Sequence, residues 1–540
     1  MNRSAFTGLA AAWLCCIGAE LSAETYSVGP GESYEAVGDV PLDTLTAGDV
    51  VEIHWRETPY AEKFVLGAMG SKAEPVVIRG VPNDAGELPV IDGRDAVTPT
   101  GLDFWNESRG LIKIGGANSP SCDPPDCVPS WIVIENLALR SARPPYTFID
   151  ADGETETYAE NAAAVYVEVG AHLTIRGCEL YDSGNGLFIG AFDGETQDVL
   201  IQGNYLYDNG IEGSAYEHNS YTAARGITFQ FNRYGSLREG CDGNNLKDRS
   251  AGLTVRYNWL ENGNRQLDLV DGEDTATVPA DPRYGETFVY GNILIEGDGE
   301  GNSQIVHYGG DSGTEAQYRK GTLYFYNNTV VSTRAGNTTL FRLSTNDEHC
   351  DARNNIFYVT EDGSRLALLN EAGSVDLSHN WFKPGRVDVH GTLTGTVNDD
   401  GTSIESDDPG FSDLETQSFD LADNSICLNA GTELPAAALP NYDLYEQYVP
   451  HCQSASRPVE PPLDLGAFER CLSGDCETVT PPDTPDSGAS ADTDSAAQTA
   501  DESDAGSNTE NDDSGCGCHA VAASTPSLLY SLLVWTAGSR

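Results

Sequence analysis

A short pattern recurs along the chain: three strand-like residues, an Asn, then alternating apolar residues. It reads IEN at Asn136, IRGC at Cys178, IQGN at Asn204 and FQFN at Asn232. It continues as VRYN at Asn258, VYGN at Asn292, FYNN at Asn328, ARNN at Asn355 and LSHN at Asn380. Successive intervals are 42, 26, 28, 26, 34, 36, 27 and 25 residues. A constant minimum with occasional longer steps is what stacked coils produce when insertions fall at corners. Within each unit, segments such as Leu253-Thr254-Val255-Arg256-Tyr257 alternate apolar and polar, so one face packs inward. Asn tolerates a left-handed corner, and its amide can bond the Asn of the next coil. The pattern predicts an all-β chain forming a single-stranded right-handed parallel β-helix. With coils about 4.8 Å apart, these nine plus weaker ones at each end make a rod roughly 50 Å long. A β-propeller would need longer blades and would lack the Asn register.

The charge balance narrows the partners. The 540 residues carry 30 Lys+Arg against 84 Asp+Glu, a net charge of −54. That excludes nucleic acid, whose phosphates need basic neutralisation, and a basic membrane-surface mode. The body holds no apolar run long enough to span a membrane. Residues 1–23 read as a secretory signal: Arg3, a short apolar stretch, then small residues. Residues 24–470 are expected to form the β-helix. Residues 471–515 read as a disordered acidic linker, with twelve Asp/Glu and no Lys or Arg from 472 onward.

The tail, 516–540, has Cys516-Gly517-Cys518, a short apolar stretch and a terminal Arg540. It resembles the C-terminal sorting signal of myxobacterial surface proteins, which implies secretion or outer-surface attachment; the chain is expected to be a monomer. Thirteen cysteines fit an oxidising compartment. Cys122/Cys127 and Cys471/Cys476 are close enough to close small loops, and Cys427 with Cys452 is a further candidate pair. No cysteine spacing matches a zinc site.

Counting forward from each ladder residue aligns polar groups. His218 lies 14 after Asn204, Lys247 15 after Asn232, Asp271 13 after Asn258, His307 15 after Asn292 and Arg342 14 after Asn328. If the coils stack in register, these five form one stripe on the rod. Its centre is Lys247, one of only six lysines. In a strand, Lys247 and Arg249 point the same way and Asp248 the other. Arg249 and partial burial would lower the Lys247 pKa, as a catalytic base requires, while Asp268 or Asp271 would oppose that. The bland alternative is an ion-pair ladder that merely ties coils together. His218 and Tyr221 are candidate proton carriers. Glu239, Asp242, Asp268 and Asp271 are candidate oxygen ligands for Ca2+. Trp259, with His307 and Arg342, is a candidate substrate contact.

The run Asn245-Leu246-Lys247-Asp248-Arg249-Ser250, followed by Val255-Arg256-Tyr257-Asn258, resembles secreted β-helix polysaccharide lyases of the chondroitinase B and alginate lyase type. The opening segments Pro75–Gly80 and Val90–Gly93 resemble their first coils, and Asp408–Phe411 and Leu465–Glu469 their closing segment. The chain also resembles myxobacterial polysaccharide-degrading enzymes. The resemblance implies a Lys base, here Lys247, with Ca2+ neutralising a uronate carboxylate. It implies an Arg one coil later, where this chain has Leu267-Asp268-Leu269, so Arg249 or Arg265 must substitute. Three functions remain open: β-elimination of a uronate polysaccharide, glycoside hydrolysis by paired carboxylates drawn from Asp242, Asp268 and Asp271, and non-catalytic glycan binding.

Overall fold

One coil shows how the sequence builds the fold. In the computed structural model, which describes residues 23–478 apart from 103, 117–127, 300 and 475, Ala171–Arg176 forms a strand with Leu173 and Ile175 buried. Gly177 turns the chain with φ +61°, and Glu179–Tyr181 starts a second face. Asn185–Ile189 forms a third face, and Gln197–Gln202 returns in parallel register beside the first strand. Repetition of this circuit produces three long parallel sheets. The first has 13 strands, the second 11 and the third 10. Parallel crossovers of this kind are right-handed, and the chain is a right-handed parallel β-helix. Its interior is one continuous apolar core running from Tyr26 to Phe382.

Between the first and second sheets runs the asparagine ladder. Asn204, Asn232, Asn258, Asn292, Asn328, Asn355 and Asn380 are fully buried. Each Nδ2 donates to the Oδ1 of the next at 2.9–3.1 Å, ending at Asn380. The same oxygens accept the backbone N–H of the preceding ladder residue, as Asn232 Oδ1 does from Asn204 N at 3.0 Å. The expected reason for Asn is half right. The left-handed residue is the one before the ladder position: Phe231, Tyr257, Asn327, Asn354 and His379 have φ between 50° and 58°. The ladder Asn is selected for its amide, which satisfies buried backbone groups that no water reaches. Asn136 is also one place out. Glu135 pairs with Arg176, so Asn136 takes the left-handed corner and buried Leu137 the ladder slot.

The coils end at the strand Ile404–Glu405. Beyond it, the segments expected to close the rod instead fold back along its flank. Phe419, Tyr448 and Phe468 pack on Trp259, Ile293 and Val331, and Leu444 packs among Tyr257, Tyr290 and Tyr326. Trp259 is therefore covered by Phe419 and Tyr448, not offered to a substrate. Cys471–Cys476 form a disulfide. Cys427 and Cys452 do not pair with each other: Cys427 sits beside Trp381 and Leu465, while Cys452 Sγ lies 3.6 Å from the Asn204 carbonyl. The signal, Cys122/Cys127, and nearly all of the linker and tail lie outside the described residues.

Candidate active site on the third sheet

The third sheet places one outward residue per coil in a single column. Successive register partners are Tyr221, Lys247, Asp268, His307 and Arg342. Lys247, His307 and Arg342 thus fall where the spacing put them. His218 and Asp271 do not: Tyr221 and Asp268 hold their places, each three residues away, because the loops between ladder and strand differ in length. Alternation holds on the central strand Leu246–Asp248. Asp248 points inside, where it accepts from Thr222 Oγ1 at 2.7 Å and Ser250 Oγ at 2.8 Å and faces Arg319.

Lys247 Nζ donates to Asp268 Oδ2 at 2.8 Å and to Asp311 Oδ2 at 2.5 Å. Burial pulls the ammonium pKa down, but Asp268 and Asp311 outweigh it, and Arg249 is too weak an opponent. The net shift is upward, so Lys247 is a cation here, contrary to the lowering expected from its neighbours. Asp268 is the hub. Burial raises its pKa, yet Lys247, His307 and Arg265 hold it well below the usual carboxylate range. Its Oδ1 meets His307 Nδ1 at 2.8 Å, and Asn244 Nδ2 donates to its Oδ2 at 3.0 Å. Both His307 nitrogens are engaged, the second by Ser344 Oγ at 2.9 Å. His307 is buried and orients Asp268, so it is not a substrate contact.

Arg249 joins the neighbouring groups. It donates from Nε to Tyr221 Oη at 2.8 Å, from Nη1 to the Asp271 carbonyl at 2.6 Å and from Nη2 to Asp311 Oδ1 at 2.9 Å. Glu273 Oε1 lies 2.7 Å from the same Nη2. Burial raises the Tyr221 pKa, with Arg249 opposing. His218 is buried, and its Nδ1 accepts the Asn244 N–H at 2.9 Å, which places the proton of the neutral ring on Nε2. Burial, then Lys247, push its pKa down to about 3. His218 is therefore a neutral neighbour of Tyr221, with the rings edge to face at 5.7 Å. Arg265 donates to Gln304 Oε1 at 2.8 Å and lies 3.6 Å from Asp268. Arg342 is half-buried and makes no ion pair among the described residues.

The carboxylates expected for Ca2+ do not fit a cation. Lys247, His307 and Asn244 occupy the oxygens of Asp268. Asp271 accepts from Asp311 N at 2.8 Å and Ser312 Oγ at 2.5 Å. Among the described residues, no three of Glu239, Asp242, Asp268 and Asp271 converge on one point. Asp311 was not among the sequence candidates. It stands 64 residues from Lys247, on the loop Gly309-Gly310-Asp311-Ser312-Gly313 that follows the strand Gln304–Tyr308. Its side chain is 32% exposed, against 9% for Lys247 and 4% for Arg249. Lys247 and Arg249 outweigh burial and lower its pKa.

No protein-family model matches the chain. No curated protein matches it either. Solved structures do. An alginate lyase from Paenibacillus sp. str. FPU-7 aligns with TM-score 0.38 and 14% identity over 63% of this chain and 94% of its own. Pectate lyase Pel9A aligns with TM-score 0.43 and 13% identity over 84% and 98%. The GH136 lacto-N-biosidase from Eubacterium ramulus aligns with TM-score 0.40 and 13% identity over 71% and 67%. Likeness at this level says nothing of activity. The class, a parallel β-helix, rests on the strand pairing of this chain.

Proposed function

We propose that the chain is a secreted or surface-held polysaccharide lyase that cleaves a uronate-containing chain by β-elimination on the third sheet. One observation carries the reading. In a chain of net charge −54, Lys247 and Arg249 lie side by side and share one solvent-reaching carboxylate, Asp311, with Glu273 a second on Arg249 alone. A substrate carboxylate offers the same chemistry and would take that place. Arg249 would then neutralise the uronate, the role the resemblance gives to Ca2+. With the uronate carboxylate held on the Arg249 side and Asp311 displaced, Lys247 loses one of the two anions that keep it protonated, so the amine moves toward a base. Lys247 takes the proton beside the carboxylate, the electron pair forms the new C=C bond, and the glycosidic C–O bond breaks. Tyr221 donates its proton to the departing oxygen.

A second reading has its own support. Glu273 and Asp311 share Arg249 Nη2, so their oxygens are no further apart than 2.7 and 2.9 Å together. Burial raises the Glu273 pKa while Asp311 is lowered. An acid and an anion at about 5–5.5 Å are what a retaining glycosidase uses. Asp242, Asp268 and Asp271, the carboxylates read from sequence, do not form that pair. Incubation with polyuronates and neutral polysaccharides separates the readings. The lyase yields an unsaturated, ultraviolet-absorbing product that Lys247→Arg abolishes. New reducing ends without that absorbance, lost in Glu273→Gln, would replace it with the hydrolase.

A further inference from the structure

A cavity of about 390 Å³ lies on the outer face of the first sheet, away from the Lys247 column. Its floor is one register row of four coils, Thr174, Leu200, Thr228 and Thr254. At one end Trp131 and His172 stack with ring centres 4.1 Å apart. At the other, Tyr442 from the returning flank stacks on Phe288 at 3.8 Å. Along one side, Arg256 donates to Gln230 Oε1 at 2.7 Å and makes no ion pair among the described residues. Along the other, Trp131, His172, Asp198, Gly226 and Gly252 occupy equivalent positions, all with positive φ.

That column is informative because three of its members are not glycine. Gly226 and Gly252 adopt this conformation without strain, whereas Trp131, His172 and Asp198, all at φ +54°, do so at a cost of about 1–3 kcal/mol each. Strain retained in residues that line a cavity points to use of their side chains. Three threonine hydroxyls around Leu200, an amide, a guanidinium without a carboxylate, aromatic platforms at both ends and Asp198 turned to His172 fit an extended, hydroxyl-rich chain with acidic substituents. A peptide adding a strand does not fit, because the floor strands are already paired on both sides.

We infer that this trough is a second, non-catalytic binding site for a polysaccharide chain lying along the rod. The polymer class rests on the proposed function; the site itself rests on the trough. The test uses the full chain in affinity electrophoresis through gels containing polygalacturonate or alginate. The wild type and Lys247→Arg should be retarded equally by at least one polymer. Trp131→Ala, and independently Thr228→Trp, which fills the floor from outside the core, should weaken retention roughly tenfold. Both should still cleave a tetrasaccharide at the wild-type rate. Equal retention of all four proteins, or no retention of the wild type, overturns the inference. Retention that depends on Trp131 and Thr228 with no unsaturated product from any polymer upholds the trough and overturns the lyase.

Discussion

Two lysines occupy the same column of the third sheet. Register partners run Lys113, Tyr166, Phe188, Tyr221, Lys247, so the two are four coils apart. Lys113 therefore belongs to the column of Lys247. Each lysine lies near a tyrosine ring, Lys113 at 5.3 Å from Tyr166 and Lys247 at 5.9 Å from Tyr221. In each set an arginine donates to the phenol, Arg109 at 3.2 Å and Arg249 at 2.8 Å. The difference is what caps the ammonium. Lys113 is wholly buried under the loop at 105–106, donating to the Trp105 carbonyl at 2.7 Å and to Glu168 at 3.1 Å. Burial dominates there and lowers its pKa. Lys247 is capped by Asp311, a carboxylate that reaches solvent. The same residue types in the same column are wholly buried in one coil and, under the proposed function, catalytic in another.

The largest effect should come from exchanging each of the two lysines in turn. Lys247→Arg keeps the charge facing Asp268 and Asp311 but cannot give up a proton. It should lower turnover roughly a thousandfold while the unfolding midpoint stays close to wild type. Lys247→Ala is a poorer test, because it leaves Asp268 buried without its main cation. Lys113→Met should do the reverse: turnover per folded molecule unchanged, stability lower by about 1–3 kcal/mol as the Trp105 carbonyl loses its donor. Loss of turnover in Lys113→Met with the fold intact would erase the contrast between the two sites.

Asp311→Asn tests the cap itself. It removes an anion that raises the Lys247 pKa, so the acidic limb of the pH–activity profile should move to lower pH. The KM for a uronate oligosaccharide should fall, because the substrate no longer displaces a charged competitor. An unmoved limb would mean that Lys247 is not the base.

The fold was legible because one residue type marked seven successive coils. Isolated corners could be misread by one place, as at Asn136, yet seven stacked amides fix the register. The site was legible only along the column. A constant offset from the ladder found Lys247, His307 and Arg342, but failed for His218 and Asp271, where the intervening loop changes length. Asp311 reaches Lys247 from a loop 64 residues on, and no periodic count links them. Trp259 looked available because nothing in the repeat announces that the chain after Glu405 folds back over it.

A smaller pH effect separates His218 from the chemistry. Its folded pKa, about 3, lies below the unfolded value near 6.5. The folded state therefore binds fewer protons, and His218 contributes stability above about pH 6.5 that is lost as pH falls toward 3. His218→Gln should flatten the unfolding midpoint across that window without shifting the acidic limb of activity. A shifted limb would make His218 a proton carrier.

The smallest effect is expected from the two phenols. Tyr166→Phe removes one part-buried hydrogen bond, to Arg109, and should cost about 0.5–1.5 kcal/mol of stability with turnover unchanged. Tyr221→Phe removes the equivalent bond to Arg249 and should cost a similar amount. Its Arg249 remains held by the Asp271 carbonyl, Asp311 and Glu273, so the site keeps its shape. The two variants should therefore be nearly indistinguishable by thermal unfolding, which makes the kinetic comparison clean. If Tyr221 protonates the leaving oxygen, its removal slows cleavage of substrates with poor leaving groups, while an activated aryl glycoside is spared. Equal rates for Tyr166→Phe and Tyr221→Phe on a natural polyuronate would show that the column treats both phenols as packing, and the proton for the leaving oxygen would then have to come from Lys247 itself.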